Sequence, residues 1–245
     1  MTICCFFFGL TLVILLSGIH SATLTVKNNC PYTIWPATQT GGGAAQLPNT
    51  GFVLAPKASV SVVTPAPWTN GRVWARTQCS TGSSGKFICA TADCGSGQVA
   101  CHGAGGTPPA SLAEFTLGSK GGKDNYDVSL VDGFNLPLSI TPQGGSGKNC
   151  TTTSCGANIN AVCPSDLAVR GSSGSIISCK SACVAFNEPK YCCTGMFNSS
   201  NTCKPTNYSK IFKSKCPQAY SYAYDDSSSL FSCTGSPNYL ITFCP

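Results

Sequence analysis

Residues 85–101 read GKFICATADCGSGQVAC, with cysteines at 89, 94 and 101 and glycines at 95 and 97. Cysteines this close, in a stretch rich in small turn residues, must be disposed of chemically. Outward from this stretch, sixteen of the eighteen cysteines lie beyond residue 29, and Cys4 and Cys5 sit in an apolar N-terminal run. An even, dense set of this kind persists as disulfides in an oxidising compartment. Zinc is the competing reading. It fails on spacing, because no CxxC pair occurs and His102 is the one histidine beyond residue 21. No metal and no cofactor is expected.

The N-terminus agrees. Ile3 to Leu16 is almost unbroken apolar sequence, followed by small residues at Ser17, Gly18, Ser21 and Ala22. This matches the core and cleavage region of a signal peptide and is too short for a comfortable membrane span. The off-pattern feature is that no Lys or Arg precedes it. Residues 1–21 are expected to be a signal peptide cleaved near Ser21/Ala22. The product is expected to be secreted, to the cell exterior or apoplast or to a vacuole, with no stable membrane insertion.

Charged residues make up only 10% of the chain, well below the usual quarter. Gly 26 and Pro 16 imply many turns. The net charge is +6, but the lysines are scattered and form no block, so nucleic acid is excluded as a partner. Lysines thicken only at Lys204, Lys210, Lys213 and Lys215, which reads as a solvated helix face or a weak attraction to anionic cell surfaces.

Short strand patterns recur at Thr23–Val26, Tyr32–Trp35, Ser59–Val63, Arg72–Arg76, Tyr126–Val131, Leu138–Thr141 and Tyr239–Phe243. Gly, Pro and Asn clusters separate them, which argues a sandwich or barrel. The first and last strands are expected in one sheet system, with Cys30 and Cys244 near its ends. Ser175–Phe186 carries apolar residues at a helical period, and Tyr208–Lys215 reads as a second helix with Asn207 as cap and Pro217 as stop. Both fall within Cys150–Cys216, which holds nine of the cysteines. That span has too little apolar sequence for its own core, so bridges must stand in. The expected organisation is a β-sandwich from 22–77, 103–149 and 217–245, a small disulfide loop domain at 78–102 and a disulfide-rich helical domain at 150–216.

The opening stretch closely resembles the signature of the thaumatin-like family, also called pathogenesis-related family five, including its Thr-x-Asp-Cys element at Thr91, Asp93 and Cys94. The resemblance extends through NNCPYTIWP at 28–36, GRVWART at 71–77, SLAEF at 111–115, YDVSLVDGFN at 126–135, YCCTG at 191–195, CPQAYSYAYDD at 216–226 and NYLITFCP at 238–245. It implies a mainly β fold, a thaumatin-like β-sandwich with a disulfide-rich helical second domain, a small disulfide loop domain and a cleft between the first two. It also implies the pairs Cys30–Cys244, Cys79–Cys89, Cys94–Cys101, Cys150–Cys233, Cys155–Cys216, Cys163–Cys179, Cys183–Cys192 and Cys193–Cys203.

The resemblance further implies an acidic cleft lined by Arg72, Glu114, Asp127, Asp132 and Asp225, with Asp226 as the rival of Asp225. Gln218 stands where many relatives carry an acid. Carboxylates gathered in one groove repel, so at least one should hold its proton. A protonated acid beside an ionised partner is what glycoside hydrolysis needs, and Glu114 with Asp127 are the candidate catalytic pair. Arg72 is expected to hold one carboxylate in a bidentate pair. Phe115, Phe134, Tyr220 and Tyr222 are expected to offer flat faces to a sugar ring. Set against this, Asp132-Gly133 is a common turn pair, and Asp127 and Asp132 differ by five residues, so one must leave strand register for both to face the groove.

No GxSxG elbow, HExxH or P-loop occurs. Trp35, Trp68 and Trp74 are expected to pack the sandwich. Asn149, Asn198 and Asn207 begin sequons; Asn198 and Asn207 are the expected glycosylation sites, because Asn149 abuts Cys150. The expected function is a monomeric, secreted, antifungal plant defence protein that binds the β-1,3-glucan of a fungal cell wall. The alternatives are a weak endo-β-1,3-glucanase and a membrane-perturbing basic protein. Many members of the family are allergens.

Overall fold

Thr23–Asn28 turns Leu24 and Val26 into the core and leaves Thr23, Thr25 and Lys27 half-exposed, and forms strand β1. That period of two is what a sheet with one covered face requires. The structure is a computed structural model and describes residues 21–65, 67–118 and 122–245. The expected signal peptide lies outside these residues except for Ser21.

The strands that follow are β2 Trp35–Thr40, β3 Ser59–Val63, β4 Trp68–Thr81, β5 Phe87–Thr91, β6 Leu112–Leu117, β7 Asp124–Ser129 and β8 Leu138–Gln143. The remaining five are β9 Thr153–Cys155, β10 Ala168–Arg170, β11 Ile176–Cys179, β12 Phe231–Cys233 and β13 Asn238–Phe243. Helices are α1 Ala182–Phe186, α2 Pro189–Cys192, α3 Asn207–Lys215 and α4 Asp226–Ser229. None among the described residues is long and apolar enough to cross a membrane.

One sheet runs β3-β1-β13-β8-β9 and another β12-β7-β6-β4-β2, with β5 paired to the far end of β4. β1 and β13 are parallel neighbours, so the two ends of the described chain share a sheet as expected. The core lies between the sheets: Leu24, Ile140 and Ile241 meet Val73, Ala113 and Val128. Burying each such side chain contributes about 1.5–3 kcal/mol. Tyr239 of β13 bridges the layers, with its ring 5.3 Å from Phe115 and 5.2 Å from Tyr126. Trp68 and Trp74 are buried, and the half-buried Trp35 packs 6.1 Å from Phe87, so the tryptophans serve packing.

The outer face of the β12-to-β2 sheet is only partly covered. Trp74 and Leu112 are buried there with Ala92, Cys94, Cys101 and Ala110 in a second small core. Arg76, fully buried, ties that cover down by donating from Nε to Trp35 O at 3.1 Å and from an Nη to Val99 O at 2.6 Å. Burial lowers its pKa to about 10, with Asp93 offsetting part of the shift. Beyond the cover, the same face opens at Arg72.

Among the described residues eight disulfides form, and they are the eight pairs that the resemblance implies. Several elements differ from expectation. Ser175–Phe186 is not one helix: Ile176–Cys179 is β11, paired with β10, and only Ala182–Phe186 is helical, capped by Ser181. Cys179 exchanges both backbone bonds with Phe134, and this tertiary pairing overrides the helical spacing. The cap of α3 is Thr206 rather than Asn207, because Thr206 and Ser209 satisfy each other's backbone amides in a capping box. Phe87–Thr91 is a strand inside the 78–102 span, and Thr153–Cys155 pairs with β8 although it falls inside 150–216. Strand β2 begins where the Tyr32–Trp35 run was expected to end.

Candidate functional site

Arg72 on β4 lies directly opposite Glu114 on β6, and Glu114 lies directly opposite Asp127 on β7. Directly opposed residues have Cβ atoms about 4.5–5.5 Å apart. The three therefore form one row across the open part of the sheet. Gln39 continues the row on β2, opposite Arg72, and its amide donates to Gly103 O at 3.0 Å. Alternation does the rest of the positioning: Trp74 and Leu112, two residues along from Arg72 and Glu114, are the first residues under the small core.

Arg72 Nε donates to Glu114 Oε1 at 2.8 Å. This is a single hydrogen bond, not the bidentate pair expected. Asp127 is half-buried beside them, and its pKa is pushed up to about 8. Burial is the largest cause, Glu114 and Asp226 add repulsion, and Arg72 offsets part of it. Asp127 thus holds its proton at neutral pH, next to a carboxylate paired with a guanidinium.

The far wall comes from the chain around Tyr220. Its backbone amide donates to Val128 O and its carbonyl accepts from Leu130 N, both at 2.9 Å, so this segment extends the edge of β7. The Tyr220 hydroxyl donates to Asp226 Oδ1 at 3.0 Å. Burial and that bond raise its pKa far above the ordinary range, so it remains a protonated donor. Asp132 leaves the β7 register through a turn closed by Gly133 N to Leu130 O at 2.9 Å, as the five-residue spacing from Asp127 requires.

Arg72, Glu114, Asp127, Ser129, Asp132 and Tyr220 line one open cavity of about 190 Å³. A second opening of about 220 Å³ continues over Arg72, Glu114 and Asp127 towards Asn70, Asn125 and Leu230. The row is therefore the floor of a groove open on both sides.

Some expected site residues lie elsewhere. Asp225 does not line either opening: its carboxylate accepts from Ser221 N at 3.0 Å and Ser221 Oγ at 2.8 Å and pairs with Lys213 Nζ at 2.9 Å. The rival Asp226 accepts from Tyr220 and repels Asp127, and it too lines neither opening. Phe115 and Phe134 are buried, so neither can stack on a sugar. Phe115 follows Glu114 on a strand and so points to the opposite face. Tyr222 lines a separate small pocket with Tyr191 and Phe212. Ser129 and Asn125 were missed in the sequence, although they alternate with Asp127 on the face of β7 that bears it. Lys213 is no solvated residue, since it donates to Ala219 O at 3.0 Å and Ser229 Oγ at 2.8 Å. Asn198 and Asn207 are exposed, and the Ser209 hydroxyl of the second sequon is engaged in the α3 cap. Among the described residues no group of three or more His, Cys, Asp or Glu is assembled that could hold a metal.

Residues 28–245 match the family model described as Thaumatin family. The chain belongs to the thaumatin family. This thaumatin-family chain is 62% identical over 238 residues to thaumatin-like protein 1a of Malus domestica, covering 97% of this chain and 96% of the relative. It is 60% identical over 244 residues to a Prunus avium protein named glucan endo-1,3-beta-glucosidase, covering 96% of this chain and 99% of the relative. Among solved structures it resembles a laminaripentaose-producing β-1,3-glucanase in complex with laminaritetraose, at a TM-score of 0.62 and 12% identity, covering 92% of this chain and 99% of that one. The last likeness is one of fold alone.

Proposed function

We propose that this thaumatin-family protein is a secreted, monomeric plant defence protein that binds fungal β-1,3-glucan along the groove floored by Arg72, Glu114 and Asp127. One observation carries this reading: three polar side chains stand in direct cross-strand register on a rigid sheet, with open space on both sides. The guanidinium and the protonated Asp127 donate hydrogen bonds, Glu114 and the Tyr220 oxygen accept them, and sugar hydroxyls do both. A 60% identical relative that bears a β-1,3-glucanase name supports this choice of polymer.

Hydrolysis is the second reading. Asp127, protonated up to about pH 8, has the state of a general acid, and Glu114 that of its ionised partner. Asp127 would give its proton to the departing glycosidic oxygen while Glu114 stabilises the positive charge growing at the anomeric carbon, and a water would then add to that carbon and return a proton to Asp127. Binding ranks first because the Arg72 bond already occupies one Glu114 oxygen. Asn198 and Asn207 are proposed as sites of N-glycosylation on the exposed surface.

The test is a pull-down on insoluble β-1,3-glucan together with reducing-sugar release, using wild type, Glu114→Gln and Asp127→Asn. The expected outcome is that wild type sediments with the glucan and each variant sediments at least tenfold less. Sugar released by wild type and abolished in Glu114→Gln promotes hydrolysis to first place. Equal sedimentation of all three proteins removes the groove from the function.

A further inference from the structure

Six residues along β4 from Arg72, about 20 Å at 3.3 Å per residue, the strand reaches a second cavity at Gln78. It measures about 340 Å³, larger than the opening above Asp127, and no Asp, Glu, Lys, Arg or His lines it. Its walls are Tyr32, Gln78, Pro137, Asn158, Asn160 and the pair Ile176–Ile177. These come from β4, from the loops that carry Tyr32 and Pro137 and from the disulfide-rich span, so the cavity has several independent supports.

The polar groups here are uncommitted. Gln78 is exposed and its side chain makes no hydrogen bond among the described residues. Its backbone takes a φ of 53°, a conformation that favours glycine, yet an amide side chain is kept. Asn158 uses its Oδ1 to accept Asn160 N at 3.1 Å, which leaves its NH₂ free. The Oδ1 of Asn160 is buried and accepts no bond, the one such side-chain atom among the described residues. That atom is sealed from the cavity, so the amides a ligand can meet are those of Gln78 and Asn158. By contrast, the amide of Asn135 on the same wall is spent on Ser111 N, Ala75 O and Thr91 Oγ1. The unspent groups are therefore a subset and not a general feature of the wall.

We infer that this cavity is a second saccharide site, for a neutral sugar unit, separate from the acidic groove. The lack of charge disfavours phosphates, uronates and cations. Free amides offer a donor and an acceptor side by side, which matches vicinal hydroxyls. The Tyr32 ring, Pro137 and the two isoleucines supply the apolar surface on which the CH face of a pyranose rests. Tyr32 is fixed for this role: Asn28 Nδ2 holds its carbonyl at 2.8 Å, and the Cys30–Cys244 bond anchors the chain two residues before it. The inference rests on the glucan reading only for its choice of probe.

The experiment titrates ¹⁵N-labelled protein with laminarihexaose and follows the side-chain amides of Gln78 and Asn158 by NMR. Saturable shifts are expected in wild type and equally in the Glu114→Gln/Asp127→Asn double variant. They are expected to weaken at least tenfold in Tyr32→Ala and in Gln78→Gly, the latter being a change that the backbone there accommodates. Silence of these amides while the groove responds overturns the second site and leaves the proposed function standing. A response of these amides while the groove stays silent does the reverse. An equal response to glycerol identifies an adventitious polyol cavity and overturns the inference.

Discussion

Lys213 Nζ lies 2.9 Å from Asp225 Oδ2, and this contact joins α3 to the segment that presents Tyr220 to the groove. The ammonium also holds Ala219 O at 3.0 Å and Ser229 Oγ at 2.8 Å, so residues 219–229 close around one lysine. Asp225, which the family resemblance placed in the groove, instead braces the segment that carries Tyr220.

Replacing Lys213 by Met strands a nearly buried carboxylate. A loss of about 2–3 kcal/mol is expected in denaturant unfolding. Lys213→Met with Asp225→Asn together should recover part of it, because no charge is then left alone. A single variant within about 0.5 kcal/mol of wild type would show that the brace is ornamental.

Asp127 makes stability fall with rising pH. Its pKa is raised from 3.8 to about 8 in the folded protein. Between these values the folded state holds a proton that the unfolded chain has released, so folding loses free energy as pH climbs through that window. Asp127→Asn removes the titration. Urea midpoints measured from pH 4 to 9 should show a smaller decline for the variant, and parallel curves would contradict the assignment.

The neighbours of Asp127 pull it in opposite directions. Glu114→Gln should lower its titration midpoint, since a repelling charge is gone, and Arg72→Ala should raise it. Carboxyl ¹³C shifts followed against pH read both. Arg72→Ala should change stability by less than about 1 kcal/mol, because the Arg72–Glu114 pair is largely exposed. Midpoints that move together in the two variants would rule out the row as described.

Arg76→Met should unfasten the small disulfide loop from the sheet. Two carbonyls, Trp35 O and Val99 O, lose their donor in a buried place, which costs about 3 kcal/mol in all. Amide exchange should accelerate across 94–101 before it does in β1 or β13. Uniform acceleration would mean that Arg76 supports the whole domain instead.

Much of this was readable in the residues. Thr23–Val26 and Ser59–Val63 alternate because only one side of their sheet is packed. β6 was not read as a strand, because LAEFTL buries Leu112 and Ala113 in succession, one under each face of its sheet, and this hides the period of two. The row of Arg72, Glu114 and Asp127 came from motif resemblance, while their register depends on strand pairing that no single segment encodes. The burial of Phe115 was legible, since a residue following an outward Glu114 must face inward. The withdrawal of Asp225 from the groove was not, because it turns on Lys213, twelve residues away in the chain and on another element.

The place of β13 in its sheet bears on how the molecule is made. It lies between β1 and β8, so one of the earliest strands finds its parallel neighbour only in residues 238–243. Translation delivers those residues after every other strand, and until then the sheet has a gap at its centre. The Cys30–Cys244 bond can close only when synthesis has passed residue 244, so this staple is set after strands β1 to β12 have been made.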